Sequence, residues 1–187
     1  MPPLELETLR LRLVAFTPNS SAAAVQGNAP LAAALRVVVP PDWPPQTLAD
    51  VQGLFAGQLA ANPAEVGWWG WYVIAKPDVV APDATLIGST GASPPDALGR
   101  SLGGYSILPG FEGQGFATEA ARVVFGWVAS QPSLRSLEAT TFEQHYASRR
   151  VLEKLGFQLV GVSPDDADAA ESDRQGRGAL ILYRLPR

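Results

Sequence analysis

The stretch GYSILPGFEGQGFATEA, residues 104–120, places a strand, a glycine-containing turn and the start of a helix in direct succession. Residues 105–108 have aromatic and β-branched character, and Pro109 stops this strand pattern. A loop with Gly113 and Gly115 then leads into a long helical pattern. The first N–H groups of a helix have no partner within it and carry about half a positive charge. The stretch therefore predicts a pocket of backbone N–H groups suited to a phosphate or pyrophosphate.

Two familiar phosphate-binding motifs do not fit the spacing of this loop. A P-loop needs Lys and then Ser or Thr directly after its second glycine, and here Phe116 and Ala117 follow Gly115. A dinucleotide fingerprint needs a third Gly or Ala at its last position, which here is Thr118. It also needs an early βαβ unit, which the pattern around this loop lacks. The spacing excludes both motifs.

The loop resembles motif A of the GNAT acyltransferase superfamily, Gln/Arg-x-x-Gly-x-Gly/Ala. Gly113 and Gly115 match this pattern, and Gly110 stands where the family has Gln or Arg. The continuation GFATEA, residues 115–120, resembles the branch of ribosomal-protein N-terminal acetyltransferases, the RimJ/RimL-like proteins. The alternative interpretation is a surface glycine turn before an ordinary helix.

The resemblance implies acetyl-CoA as the co-substrate. In the family the loop amides hold the pyrophosphate, while the preceding strand separates from its neighbour and pairs with the pantetheine arm. The residues that the resemblance assigns to the cofactor are Ile107, Leu108, Gly113, Gln114, Gly115, Phe116, Ala117, Thr118, His145 and Ser148.

A second motif lies further along the chain. HYASRRVLEKLGF, residues 145–157, resembles the family pattern Asn-x-x-Ser-x-x-x-Leu-x-Lys-x-Gly-Phe, and TLRLRL, residues 8–13, resembles the opening strand of the branch. The resemblance spans about residues 5–185 and is weakest over 18–66. It implies an α/β (α+β) fold, with residues 1–187 as a single GNAT-like acetyltransferase domain. Such a domain has a mixed, mostly antiparallel central sheet with a splayed strand pair and helices on both faces.

Composition narrows the class of protein. With 187 residues, 47% of them hydrophobic, the chain has the size and apolar content of one globular domain. A net charge of −4 without a Lys/Arg block argues against nucleic-acid binding, and no run is long enough to span a bilayer. Cysteine is absent and there is one histidine, so neither a thiolate site nor a catalytic metal is expected. The first residues lack a signal-peptide pattern, so a cytoplasmic location is expected.

Hydrophobic periodicity predicts the element order βααβββαβαββ. Leucines at 9, 11 and 13 predict the first strand, and prolines between 37 and 45 exclude a regular helix there. Further strands are predicted over residues 68–75, 85–90, 102–108, 134–142, 157–162 and 179–185. Helices are predicted over residues 19–36, 47–60, 116–129 and 146–155, and a polar hairpin loop over 163–178.

Acyl transfer to an amine needs a donor for the oxyanion and a proton for the leaving thiolate. The family uses a backbone N–H on the splayed strand as the oxyanion donor, which the resemblance places around Ile107 or Leu108, with Leu108 as the candidate. Removing such a donor costs about 3–4 kcal/mol. Many relatives supply this proton from a Tyr, and Leu152 stands at that position here. The RimJ/RimL-like branch instead has a Ser in the second motif, so Ser148 is the candidate general acid. Ser148 shares a helical face with Val151, Leu152 and Leu155, which directs it inward. Capping of the helix start is its alternative role.

No residue stands out as a general base. His145 occupies the family's Asn position, where a cofactor contact, a helix N-cap and a proton acceptor are alternative roles. Leu102 replaces a Glu found in relatives; Glu65, Glu143 and Asp96 are the remaining candidate bases, although none lies on a motif. An α-amine, with a pKa near 7.7–8.0, deprotonates at a cost about 3.5 kcal/mol lower than a Lys ε-amine near 10.4. The site is therefore expected to favour an α-amine, an arylamine or another weakly basic acceptor.

Aromatic residues are the candidate lining of the acceptor pocket. Trp43, Trp69, Trp71 and Tyr105 are predicted to contact the acceptor, with core packing as the alternative. Strand alternation places Trp69 and Trp71 on one face and Trp68 on the other.

These features predict an N-acetyltransferase that moves acetyl from acetyl-CoA to a primary amine in a ternary complex. The acceptor is a protein N-terminus or a small molecule. One alternative is a GNAT-fold protein that binds acetyl-CoA but has lost transferase activity, favoured by the departures at Leu102, Gly110, His145 and Leu152. Another is a nucleotide-binding module unrelated to CoA. Similar proteins are often homodimers, although no interface pattern appears in this sequence.

Overall fold

A mixed β-sheet runs through the molecule, in which the computed structural model describes residues 4–164 and 176–186. Its eight strands in the described residues are β1 (Glu5–Glu7), β2 (Leu11–Ala15), β3 (Trp71–Ala75), β4 (Thr85–Ala92), β5 (Arg100–Ile107), β6 (Ser136–Phe142), β7 (Gln158–Val162) and β8 (Leu180–Leu185). They lie side by side in the order β1-β2-β3-β4-β5-β6-β8-β7. Neighbouring strands are antiparallel except β5 and β6, which are parallel.

Helices cover both faces of this sheet. Those described are α1 (Pro18–Gln26), α2 (Asn28–Leu35), α3 (Gln46–Ala49), α4 (Gln52–Ala61), α5 (Phe116–Ala129) and α6 (Tyr146–Lys154). Helices α5 and α6 pack on one face and α1–α4 on the other. The predicted α/β fold, with a mostly antiparallel sheet between two helical layers, is confirmed.

Each face of the sheet has its own hydrophobic core. On the α5 face, Phe116, Ala120 and Val124 pack against Leu11 and Leu13 of β2. The core of the α1–α4 face includes Phe16, Leu31, Leu35, Trp43, Leu48, Leu59, Tyr72, Ile74, Leu86 and Leu108. Every residue of β3 and β4 is consequently buried. Full burial of one Leu, Val or Phe side chain contributes about 1.5–3 kcal/mol, so these two layers supply the main stabilisation of the fold.

The N-terminal strand differs from the prediction. Residues 8–10 form the turn of a hairpin between β1 and β2, which pair Leu6 with Leu13. Leu9 is 92% exposed, whereas Leu11 and Leu13 are fully buried. The Leu11 N–H donates to the Thr8 hydroxyl at 2.9 Å, which holds the turn. Alternating leucines therefore cross a turn and do not belong to one continuous strand.

Two predicted helices are each divided in two. The predicted helix over 19–36 is interrupted at Gly27, whose φ of 126° lies in the region that favours glycine, so α1 ends there and α2 begins. The predicted helix over 47–60 consists of α3 and α4, separated at Asp50 and Val51. Gly27 and Asn28 are residues that favour turns, so the first break had a local signal in the sequence that the predicted helix overlooked.

The remaining elements agree with the predicted boundaries within a few residues. Helix α5 spans the predicted residues, and no regular helix occurs between 37 and 45. The predicted polar loop over 163–178 lies largely outside the described residues. Among the helices described, none is both long enough and apolar enough to cross a membrane.

Candidate active site

Strand β5 loses its partner on one edge halfway along its length. The parallel ladder joins residues 100–102 of β5 to residues 136–138 of β6 and extends no further. The opposite edge stays paired with β4 as far as Ile107, which lies opposite Gly88. A gap therefore opens between β5 and β6 from about Gly103 onward, which is the splayed strand pair that was predicted.

The pairing of β5 with β4 decides which backbone N–H points into this gap. The Leu108 N–H donates to the Ile87 carbonyl at 2.8 Å, and Leu108 is buried. In an antiparallel ladder the direction alternates, so the N–H groups of Tyr105 and Ile107 point away from β4 and into the gap. The prediction that Leu108 is the oxyanion donor is wrong, because its N–H is already bonded to β4. Its neighbour Ile107 has an N–H that is directed into the gap, as Tyr105 has.

The loop between β5 and α5 presents a row of free backbone N–H groups. Gly113 has a φ of 74°, and Gly115, the N-cap residue of α5, has a φ of 82°. Both values lie in the left-handed region that favours glycine. Within the described part of the chain, the N–H groups of residues 113–118 donate to no protein acceptor. Three of them, at residues 116–118, belong to the first turn of α5.

The same loop is also sterically open. A Cβ added at Gly113 would meet no atom within 4 Å, and one added at Gly115 would meet only Arg10 Nη2, at 3.7 Å. An open concave loop lined with amide hydrogens at a helix N-terminus is a geometry that binds phosphate groups.

An ion pair fixes this loop to the N-terminal hairpin. Arg10 Nη2 lies 2.6 Å from Glu119 Oε2, and Arg10 Nε donates to the same oxygen at 2.8 Å. The Thr8 hydroxyl donates to Glu119 Oε1 at 2.6 Å, and Arg10 Nη1 donates to the Gln114 carbonyl at 3.2 Å. The guanidinium also lies 4.3 Å from the centre of the Phe116 ring. Burial opposes ionisation of Glu119, but the hydrogen bonds from Thr8 and Arg10 outweigh it and lower the pKa of this carboxyl.

Sequence reasoning missed this contact, called here the Arg10–Glu119 clamp. Thr8 and Glu119 are 111 positions apart, so no helical or strand spacing connects them. The one available signal was that both ends lie within the family-like stretches at 8–13 and 115–120.

Ser148 faces β5 across the gap, where it meets Tyr105. The Tyr105 hydroxyl donates to the Ser148 carbonyl at 2.8 Å and lies 3.0 Å from Ser148 Oγ. Burial raises the pKa of Tyr105 to about 12, although the hydrogen bond with Ser148 opposes this shift. The phenol therefore stays protonated at neutral pH. The sequence assigned Ser148 and Tyr105 to different substrates, and the structure brings them together.

His145 and Asp96, two further candidates from the sequence, are both exposed. His145 is the N-cap residue of α6, but its exposed side chain caps no backbone N–H, and its Nδ1 lies 3.5 Å from Thr141 Oγ1. Asp96 is paired with Arg100 at 2.8 Å in an exposed loop. Leu152, at the family's Tyr position, is buried in the core and presents no hydroxyl.

A cavity of about 360 Å³ opens on the α1–α4 face of β4 and β5. Ser89 and Ser106 lie opposite each other in the β4–β5 ladder at its floor. It is lined by Phe16, Thr47, Leu48, Val51, Phe55, Trp69, Gly70, Ser89, Thr90, Gly91, Ala92, Ser93, Leu102, Gly103, Gly104, Tyr105 and Ser106. Because residues 103–106 belong to β5, the cavity and the gap border the same strand.

Of the tryptophans predicted to contact an acceptor, only Trp69 lines this cavity. Trp71 is fully buried in the α5-face core, and Trp43 is buried beside Tyr72 in the other core. Core packing therefore accounts for these two residues. Tyr105 reaches the cavity through its place in β5.

Trp69 has a left-handed backbone, with a φ of 73°. Such a conformation is rare for a bulky side chain and costs about 1–3 kcal/mol. Three contacts hold it: the Trp69 N–H donates to the Ala92 carbonyl at 2.8 Å, the indole Nε1 donates to Glu65 Oε2 at 2.6 Å, and the ring centre lies 5.4 Å from that of Phe55.

The left-handed backbone at Trp69 also changes which tryptophan side chains share a face. Trp68 and Trp71 both pack against Trp127, with ring centres 5.7 and 5.6 Å away, so they lie on the same side. The prediction that Trp69 and Trp71 share a face is wrong, because β3 begins only at Trp71.

No group of three or more potential metal-ligating side chains occurs in residues 4–164 and 176–186.

Comparisons with known proteins identify a family and relatives of this chain. A model of the Acetyltransferase (GNAT) domain family matches residues 10–158. The uncharacterized N-acetyltransferase YjdG of Bacillus subtilis (strain 168) is 27% identical over 156 residues, which cover 82% of this chain and 89% of YjdG.

Solved structures share the fold at low sequence identity. The ribosomal-protein-S5-alanine acetyltransferase of Vibrio fischeri has a TM-score of 0.63 and 16% identity, with 97% of this chain and 95% of that chain covered. RimL, a ribosomal L7/L12 α-N-protein acetyltransferase in complex with coenzyme A, has a TM-score of 0.61 and 15% identity, with 97% of each chain covered.

The Arg10–Glu119 clamp should stabilise the chain more than an exposed local ion pair does. We expect a double-mutant cycle with Arg10→Leu and Glu119→Gln to give a coupling of about 1 kcal/mol in urea unfolding. This is the upper end for surface pairs, because two charge-assisted contacts fix the guanidinium. The control cycle on Arg100 and Asp96, an exposed pair four residues apart, should give a few tenths of that value.

The coupling should also depend on pH in a defined direction. Because the pKa of Glu119 is lowered from 4.5 in the folded chain, its stabilisation is present above that value and is lost as the pH falls through the lowered pKa. A coupling at pH 7 no larger than that of the control pair would contradict the clamp.

Proposed function

The chain belongs to the GNAT acetyltransferase family, and from this premise we propose that it transfers acetyl from acetyl-CoA directly to a primary amine. The family model matches most of the chain, and the N-acetyltransferase relative supports an acyltransferase enzyme. The family uses acetyl-CoA as its acyl donor. The acceptor amine and the direct route are the new parts of the proposal.

The observation that carries the proposal is the set of free N–H groups at residues 113–118. They fit the pyrophosphate of acetyl-CoA, since glycines at 113 and 115 leave the loop open to a bulky anion. The residues proposed to hold the cofactor are Ile107, Gly113, Gln114, Gly115, Phe116, Ala117, Thr118, His145 and Ser148. RimL, which has the same fold, is a complex with coenzyme A, and this supports the assignment.

The gap beside β5 fits the extended arm of the cofactor. The N–H and C=O groups of Tyr105 and Ile107 point into it and have no partner on β6. An arm placed there would pair with β5 as a strand does. The carbonyl of the acetyl group would then lie within reach of the Ile107 N–H, which is the proposed oxyanion donor.

The position of the gap and the cavity along the same strand supports direct transfer. With the cofactor arm in the gap and the amine in the cavity, both substrates would lie against residues 103–106 at the same time. Acetyl-CoA supplies the acetyl group as a thioester. The amine nitrogen forms the new C–N bond, the C–S bond breaks, and the proton lost by the amine balances the proton gained by the thiol.

Tyr105 and Ser148 are the proposed source of the proton for the leaving thiolate. Their hydroxyls lie 3.0 Å apart beside the gap, and the raised pKa of Tyr105 keeps its proton in place until the thiolate forms. This pair takes the role of the Tyr that the family places at the Leu152 position. His145 remains a proposed contact of the cofactor arm.

The acceptor is proposed to be a protein N-terminus or a small-molecule amine. The name of the Vibrio fischeri protein, a ribosomal-protein-S5-alanine acetyltransferase, supports the first class. The uncharged cavity supports the second class.

Filling the loop should abolish coenzyme binding. We expect Gly115→Trp to weaken the affinity for CoA at least tenfold in isothermal titration calorimetry, because the side chain occupies the space in front of the free amides. Gly115→Ala should weaken it less, through the left-handed φ alone. Gly126→Trp, at an exposed glycine of the same helix with no atom within 4 Å of an added Cβ, is the matched control and should bind normally.

The thiol-release assay over amines and peptides decides whether acetyl is transferred. Release with at least one amine supports the enzyme, whereas tight CoA binding without any release supports a binding protein that has lost transferase activity. Unchanged CoA affinity in folded Gly115→Trp would remove the coenzyme from this loop.

Loss of either hydroxyl beside the gap should slow turnover. We expect Tyr105→Phe and Ser148→Ala each to lower kcat about tenfold or more while the Kd for CoA changes little, because general acid catalysis contributes roughly a hundredfold or more. Tyr146→Phe is the control, because it removes a hydroxyl from an exposed tyrosine of α6, the helix that carries Ser148; its kcat should stay at the wild-type value. Wild-type kcat in both variants would remove the pair from the mechanism.

A further inference from the structure

The cavity on the α1–α4 face has no charged residue in its lining. A cationic or anionic group packed against this lining would give up water without gaining a counter-ion, which is unfavourable. The Glu65 carboxylate nearby does not line the cavity and accepts a hydrogen bond from the Trp69 indole at 2.6 Å. The lining therefore favours an acceptor with an uncharged body.

The walls of the cavity are aromatic. Phe16, Phe55 and Trp69 line it, and the rings of Phe55 and Trp69 lie 5.4 Å apart at an angle of 41°. Flat aromatic groups pack well against such rings. A volume of about 360 Å³ holds about a dozen water-sized groups at about 30 Å³ each. The space therefore suits one substituted ring better than an extended peptide.

The floor of the cavity supplies two hydroxyl groups. Ser89 and Ser106 lie opposite each other in the ladder, and neither hydroxyl has a hydrogen-bond partner among the described residues. Ser106 precedes Ile107, whose N–H points into the gap on the other side of β5. An amino group bonded to the Ser106 hydroxyl would lie one residue along β5 from the proposed oxyanion donor, Ile107.

The cavity also offers no side chain that would take a proton from an ammonium group at neutral pH. At pH 7 an α-amine with a pKa near 7.7–8.0 is neutral in about one molecule in six to one in eleven, and a Lys ε-amine near 10.4 in about one in 2,500. An amine conjugated to an aromatic ring is neutral already. Such an amine needs no base.

We propose that the acceptor is an uncharged aromatic primary amine, with its ring against Trp69 and Phe55 and its amino group at Ser106. Glu65 is a positioning residue, since its hydrogen bond holds the Trp69 ring in place. This inference rests on the proposed function, acetyl transfer to an amine, and names the substrate class of that site.

Matched amines test the proposal with the wild-type protein. We expect kcat/KM at pH 7 for para-toluidine to exceed that for benzylamine, cyclohexylamine and an Ala-initiated hexapeptide at least tenfold. Benzylamine keeps the ring but carries a basic amine, and cyclohexylamine lacks the aromatic ring. Higher kcat/KM for the hexapeptide or for benzylamine would overturn the proposal while leaving acetyl transfer intact.

Variants of Trp69 test the location of the ring. Trp69→Leu should raise KM for para-toluidine at least tenfold without changing the Kd for CoA, and Trp69→Phe should retain part of the affinity. Trp68→Leu is the matched control, because Trp68 packs against Trp127 on the other side and should leave KM within twofold. If Trp69→Leu does not fold, Trp69→Gly takes its place in the test, because glycine adopts the left-handed backbone without strain.

Variants of Glu65 test whether its hydrogen bond positions the Trp69 ring, and calorimetry tests binding of the amine directly. Glu65→Ala should raise KM for para-toluidine with little change in kcat, and Glu65→Gln, which keeps an acceptor for the indole, should restore it. Calorimetry of para-toluidine with the CoA-saturated protein should show binding that Trp69→Leu abolishes. If para-toluidine does not bind the CoA-saturated wild-type protein, the proposal is overturned, whether or not any amine is acetylated. If the Kd for para-toluidine is unchanged in Trp69→Leu, the ring does not lie against Trp69.

Discussion

Strands β5 and β6 share a ladder only at residues 100–102 and 136–138, and the rest of β5 keeps one edge without a strand partner. A strand edge inside a domain is normally paired or covered, because unsatisfied backbone groups are costly to bury. Here the separation directs the N–H of Ile107 into a gap that ends at the glycine loop. The loop, the gap and the cavity are thereby placed along one strand.

Two long-range contacts keep the regions around this strand in position. The Arg10–Glu119 clamp ties the first turn of α5 to the N-terminal hairpin and neutralises a carboxylate beside the loop of free N–H groups. On the opposite face, the bond between Glu65 and Trp69 holds an aromatic ring on an unfavourable backbone. In both places a hydrogen-bonded carboxylate holds a segment that borders the loop or the cavity.

Local patterns in the sequence predicted the helix at α5, the glycine turn before it and the order of most strands, since periodicity and turn chemistry act over a few residues. The prediction of Leu108 as oxyanion donor was wrong, because the direction of its N–H depends on how β5 is paired with β4, and no local pattern contains that register. Trp69 was misplaced because a left-handed turn interrupted the expected strand. The clamp was missed since its partners lie more than a hundred positions apart.

The most direct test of the account is a crystal structure of the protein with CoA bound. We expect the pyrophosphate oxygens to lie within hydrogen-bonding distance of N–H groups at residues 113–118, and the pantetheine arm to pair with Tyr105 and Ile107 in the gap. The thiol should lie beside the Tyr105 and Ser148 hydroxyls. A coenzyme bound elsewhere, with the gap between β5 and β6 closed, would contradict the account.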